Sequence, residues 1–159
     1  MYYQPYVIPH PAAYRSRPYY RNSDMIIKLI RESIQGERND ELFYDALIKM
    51  APTEQEKDVI ISIRNDERKH RKMFRTLYTQ LTGMAPPVEQ KEPAEDSEAL
   101  PTSYLEGIEK ALMGELKAFE KYRTIYLNID PQYRDWIFEI MTDEIKHASY
   151  YNWLYAKNK

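Results

Sequence analysis

Two stretches decide how this sequence folds: Asp66-Glu67-Arg68-Lys69-His70 and Asp143-Glu144-Ile145-Lys146-His147. In each, a Glu stands three residues before a His, which puts both on one face of a helix. An aromatic residue follows each His four positions on, at Phe74 and Tyr151. Upstream of each lies a Gly-Glu pair, Gly36-Glu37 and Gly114-Glu115, and a tyrosine follows each of those glutamates by seven residues, at Tyr44 and Tyr122. The separations from Glu37 to Glu67 and from Glu115 to Glu144 are 30 and 29 residues. Two copies of one helical hairpin are therefore expected, related by a pseudo-twofold axis, with half a site in each.

The prolines punctuate the same plan. They leave proline-free stretches at 19–51, 53–85, 102–130 and 132–159, and proline is not tolerated inside a helix. Ser23 and Asp24 can cap the first stretch, Thr53-Glu54-Gln55-Glu56 and Ser103-Tyr104-Leu105-Glu106 have capping-box spacing, Gly83 suits a helix end, and Asp130-Pro131 reads as a cap followed by proline at the first helical position. Helices are predicted near 24–51, 54–82, 104–128 and 131–157. The first and third connections are tight, so each joins an antiparallel hairpin. The middle connection, 84–102, is long and acidic and can run the length of a bundle as a crossover. The expected fold is all-α: an antiparallel four-helix bundle over residues 24–159, built of two hairpins joined by that crossover. Residues 1–23 stand apart as a Tyr/Pro-rich arm with six tyrosines, four prolines, three arginines and no acid. Such a composition predicts a disordered or polyproline-like leader; the alternative is an adhesive arm.

Each helix carries an apolar stripe at helical spacing. The stripes run Ile30, Ile34, Glu37, Tyr44, Ile48; Ile60, Ile63, Glu67, His70, Phe74, Leu77, Leu81; Ile108, Leu112, Glu115, Phe119, Tyr122, Tyr126; and Ile137, Ile140, Glu144, His147, Tyr151, Leu154. Every stripe is interrupted midway by a carboxylate, and two of them also by an imidazole. A buried unpaired carboxylate is costly, and four together repel. Two divalent cations would balance four ionised glutamates, with two neutral histidines as nitrogen ligands. The metal candidates are Glu37, Glu67, His70, Glu115, Glu144 and His147; no catalytic group beyond them is indicated.

The composition excludes other chemistry. With no cysteine and 4 glycines there is no disulfide framework, thiolate site, P-loop or dinucleotide-binding turn. A net charge of −2 argues against nucleic acid as a partner, and no apolar run reaches membrane-spanning length. The absence of cysteine fits a reducing compartment, so a cytoplasmic location is expected, with spore association as an alternative suggested by the arm.

The quoted motifs, Gly36-Glu37, Glu67-x-x-His70, Gly114-Glu115 and Glu144-x-x-His147, resemble those of the ferritin-like di-iron carboxylate proteins, especially the rubrerythrin branch. The resemblance covers about residues 24–157. It implies two bound iron ions, with Glu37 and Glu115 as terminal ligands, Glu67 and Glu144 as bridges, and one histidine on each metal; Gly36 and Gly114 would let helices approach closely. It further implies an oxidoreductase of the peroxidase or ferroxidase type that reacts Fe(II) with hydrogen peroxide or dioxygen, as a homodimer or larger homo-oligomer. The rubredoxin-type four-cysteine site of rubrerythrins has no counterpart in this cysteine-free sequence, so an external electron donor is implied. Rubrerythrins also carry a further Glu three residues after the third-helix ligand; here that position is Ala118, and Asp40 is its first-helix equivalent.

Tyr44, Tyr122 and Asp40 are second-sphere candidates: the tyrosines as core residues whose hydroxyls reach a ligand carboxylate, Asp40 as a solvent-facing acid or an extra carboxylate. Met113 and Met141 read as core filler. Besides ferroxidase with iron storage, as in ferritins proper, which requires a hollow shell, two further alternatives accompany the di-iron oxidoreductase. One is a di-manganese, catalase-like site, since ligand types alone do not choose the metal. The other is a structural or coat-type assembly protein in which the bundle is a scaffold.

Overall fold

The computed structural model describes residues 23–89 and 100–159; the arm and most of the crossover segment lie outside the described residues. Among the described residues there are four long helices: α1 Ser23–Met50, α2 Glu54–Thr82, α3 Tyr104–Asn128 and α4 Arg134–Asn158. Broad seams join α1 to α2 and α3 to α4, and narrower ones join α1 to α3 and α2 to α4. The expected bundle of two hairpins is the observed one.

The punctuation works largely as the sequence suggests. Thr53 Oγ1 accepts from the Glu56 backbone N–H, and Ser103 caps α3 in the same way through Glu106. Gly83 ends α2 in the left-handed region at φ 70°, where a side chain would be strained. The fourth helix differs slightly. Asp130 accepts from Gln132 and opens a 3-10 turn, Pro131–Tyr133, before α4 begins at Arg134. Ser23, expected as a cap, already lies within α1.

Two apolar clusters fill the bundle on either side of its middle. One contains Ile30, Ile34, Phe74, Leu77, Tyr122, Ile125, Ile137 and Ile140; the other contains Tyr44, Leu47, Ile60, Ile63, Ile108, Ala111, Tyr151 and Leu154. The α2 and α4 stripes lie inside as predicted, with Leu81 half-buried at the end of α2. On α3 the buried seam runs through Ile108, Ala111, Glu115, Tyr122 and Ile125, leaving Leu112, Phe119 and Tyr126 half-buried; on α1 it takes Leu47 in place of Ile48. Supercoiling helices drift by a fraction of a turn over this length, which moves a stripe to the neighbouring residue. Met141 is buried, but Met113 is 51% exposed and is not core.

The glycines before Glu37 and Glu115 do not serve close helix approach. A Cβ at Gly114 would meet nothing within 4 Å, and one at Gly36 only the Lys121 Nζ at 3.7 Å. The close approach is at Gly107, where a Cβ would lie 2.4 Å from Leu47 Cδ2 and 2.8 Å from Pro101 Cβ. That packing seats the crossover's end against the α1/α3 seam.

Among the described residues no helix is long and apolar enough to cross a membrane.

Candidate metal centre

Between the two apolar clusters the bundle brings together all six residues that interrupt the stripes. They form two overlapping groups, each with ligand atoms within 4.8 Å of one another: Glu37, Glu67, His70 and Glu144, and Glu67, Glu115, Glu144 and His147. Glu67 and Glu144 belong to both groups. Every member is buried, at 2% exposure or less.

The imidazoles turn Nδ1 inward. His70 Nδ1 lies 3.3 Å from Glu67 Oε2, 3.2 Å from Glu144 Oε1 and 3.9 Å from Glu37 Oε2. His147 Nδ1 lies 3.1 Å from Glu67 Oε1 and 3.6 Å from Glu115 Oε2. The rings face one another with centroids 5.9 Å apart. Their outer nitrogens are held across the hairpins: the His70 Nε2–H donates to Asp143 Oδ2 at 3.2 Å and the His147 Nε2–H to Asp66 Oδ2 at 3.1 Å. A carboxylate accepts only, so each Nε2 carries the proton and each Nδ1 is left as the inward lone-pair donor once the ring is neutral. Lys146 Nζ bridges the two aspartates, at 2.9 Å from Asp66 and 2.6 Å from Asp143. The sequence carried a signal for these aspartates that the ligand reading passed over: an Asp precedes the Glu in both copies of the motif.

The tyrosines also cross over. Tyr44 on α1 donates to Glu115 Oε1 at 2.6 Å, and Tyr122 on α3 donates to Glu37 Oε1 at 2.5 Å. Both were expected to reach a ligand carboxylate; the structure gives each the glutamate of the other hairpin. Asp40 is half-buried and outside both groups. It lines a surface groove, and its charge contributes to raising the pKa values of Glu37 and Tyr44.

Electrostatically the centre is under-neutralised. Burial, then the charge of Glu67, pushes Glu37 well up; burial, then Glu67 and Glu115, does the same to Glu144. Burial would also raise Glu67, but the groups beside its oxygens, Glu37 and both imidazoles, outweigh it and hold Glu67 well below the usual carboxylate range. Burial opposes charge on both histidines, yet the nearby carboxylates of Asp66, Glu115 and Glu67 push His147 up to about 11, and those of Asp143 and Glu67 raise His70.

Four inward atoms remain without a hydrogen-bond partner: Glu37 Oε2, Glu67 Oε1, Glu144 Oε1 and His147 Nδ1. Buried polar atoms are nearly always satisfied. Orphans of both hard oxygen and imidazole type, converging on two overlapping points, fit a pair of divalent transition-metal ions.

A family profile for rubrerythrin matches residues 28–155. The chain belongs to the rubrerythrin family. Within curated sequences it is 28% identical over 114 residues to an uncharacterized Bacillus subtilis protein, YhjR, covering 72% of this chain and 70% of that one. Two solved structures share the fold of this rubrerythrin domain. A hypothetical protein from Pyrococcus furiosus superposes with TM-score 0.72 at 22% identity, over 87% of this chain and 94% of that one. A two-domain protein from Anabaena variabilis with DJ-1/ThiJ/PfpI-like and ferritin-like domains superposes with TM-score 0.64 at 16% identity, over 86% of this chain and 37% of that one.

Proposed function

We propose that the chain is a di-iron oxidoreductase that reacts with hydrogen peroxide or dioxygen. The observation that carries this reading is the set of four orphaned inward atoms in a cavity of four glutamates and two histidines. Glu37 and His70 would hold one metal, Glu115 and His147 the other, and Glu67 and Glu144, shared by both groups, would bridge them. Two adjacent metal ions supply a two-electron reductant and a template that orients a small oxidant.

The protein's own residues do the rest. The Asp66 and Asp143 carboxylates fix the tautomers of His147 and His70 and keep both Nδ1 atoms directed inward. Tyr44 and Tyr122 hold one oxygen of each terminal glutamate, leaving the other turned to the cavity. The apolar clusters on either side exclude water. With no cysteine in the chain, the electrons that return the site to its reduced state come from an external donor.

The test is an anaerobic Fe(II) titration followed by rapid mixing with peroxide or with oxygen. Two irons per chain and a fast optical change with one oxidant support the reading; fewer than one iron per chain overturns it. Catalase turnover with manganese and none with iron would shift the assignment to a di-manganese enzyme.

A further inference from the structure

The pseudo-twofold symmetry of the centre is broken twice, and both breaks favour the same half. The first is at the residue four positions after each histidine. In one half Phe74 packs on Tyr122, with ring centroids 5.0 Å apart. In the other, Tyr151 packs on Tyr44 at 5.5 Å. Tyr151 is fully buried, and its hydroxyl has no hydrogen-bond partner. After burial itself, the charges of Glu115 and Glu67 weigh most on it, ahead of the neighbouring Tyr44 hydroxyl. A phenol is rarely buried with its O–H uncommitted.

The second break is at the surface. Beside Gly36 the Lys121 ammonium closes over the helix, 3.7 Å from where a Cβ would stand. Beside Gly114 there is nothing within 4 Å. An open groove of about 500 Å³ lies there on the α1/α3 side, lined by Asp40, Glu106, Lys110, Met113, Gly114 and Lys117. Asp40 on its wall is also among the charges felt by Tyr44 and Tyr151. The open flank and the uncommitted phenol therefore share the Glu115 half.

We infer that the Glu115/His147 half is the receiving side of the centre: a small hydrogen-bond-accepting oxidant enters by the groove beside Gly114, and the Tyr151 hydroxyl donates a hydrogen bond that orients it. This rests on the di-metal reading and adds to it a side and a positioning residue. Peroxide and dioxygen both offer an accepting oxygen, whereas in the other half the equivalent position is Phe74, which has no hydroxyl.

Azide, a linear anion that accepts hydrogen bonds at its ends, is the probe. It is titrated into the iron-loaded, oxidised protein and followed by its charge-transfer absorption. Tyr151→Phe is expected to weaken azide binding about five-fold, the worth of one hydrogen bond, with two irons per chain retained. Gly114→Leu, which narrows the floor of the groove beside Glu115, is expected to slow azide binding about ten-fold, while Gly36→Leu leaves the rate unchanged. Unchanged azide affinity in Tyr151→Phe at full iron loading overturns the receiving role and leaves the di-iron reading standing. Slowing by Gly36→Leu and not by Gly114→Leu overturns the choice of side. Failure of the wild-type chain to hold iron overturns both.

Discussion

Glu41 and Glu37 are one helical turn apart, both buried, and they solve the same problem in opposite ways. Glu41 is enclosed by three guanidinium groups, Arg38 at 2.8 Å, Arg68 at 2.7 Å and Arg71 at 2.6 Å. Burial would raise its pKa, but hydrogen bonds from Arg68 and Arg38 and the charge of Arg71 bring it below the ordinary value. Glu37 has no guanidinium or ammonium in its group and lies with three other glutamates and two imidazoles at mid-bundle. A carboxylate that only stabilises a fold is given permanent positive charge by the sequence; one left with acids and imidazoles fits a bound cation.

The contrast breaks most sharply on substitution. Glu67→Ala removes a residue common to both ligand groups and is expected to lower bound metal from two ions per chain to below one, measured by elemental analysis after reconstitution. Glu41→Ala is expected to retain two ions and instead to lose about 2 kcal/mol in denaturant unfolding, below the full value for a broken buried ion pair because the arginines reach solvent.

The second test is of pH. In the metal-free protein His147 and His70 have raised affinities for protons, as do Glu37 and Glu144. A group whose folded pKa exceeds its unfolded value stabilises the fold below the unfolded pKa, and loses that stabilisation as pH rises toward the folded one. For His147 the window runs from about 6.5 up to about 11. The melting temperature of the metal-free protein is therefore expected to fall between pH 6.5 and pH 9, and metal loading to flatten that slope. Metal uptake near neutral pH should release protons, detectable with an indicator in weak buffer. Glu41, with its lowered value, contributes the opposite slope, visible only on acidification.

Asp143→Asn and Asp66→Asn come next. Each removes the carboxylate that fixes a histidine tautomer and is expected to weaken metal binding about ten-fold, read from competition with a chelator, with stoichiometry kept at two. The smallest effect is at Gly36. Gly36→Ala meets only ordinary contact, and is expected to raise stability by about 0.5–1 kcal/mol. Gly107→Ala, by contrast, collides with Leu47 and Pro101 and should destabilise.

How much of this was legible in the sequence follows from the range of each interaction. Helix limits rest on local chemistry, and Thr53, Gly83 and Ser103 mark them correctly. The six centre residues were legible because a carboxylate inside an apolar stripe is conspicuous and the pattern occurs twice. Interactions between hairpins were not. Tyr44 with Glu115, Tyr122 with Glu37, Asp66 with His147 and Asp143 with His70 all join residues more than 70 positions apart, and only the docking of the two hairpins selects those pairs over local ones. The glycine reading failed for a related reason. Gly36 and Gly114 share a motif with ligand residues, but which glycine is squeezed depends on where the crossover returns, and it returns at Gly107.

The central claim is that the cavity at mid-bundle is built for two metal ions. Anaerobic Fe(II) titration of the wild-type chain beside Glu67→Ala tests it most directly. The account predicts a break at two irons per chain in the wild type and below one in the variant. A wild-type chain that binds fewer than one iron, or a variant that binds as many as the wild type, would contradict it.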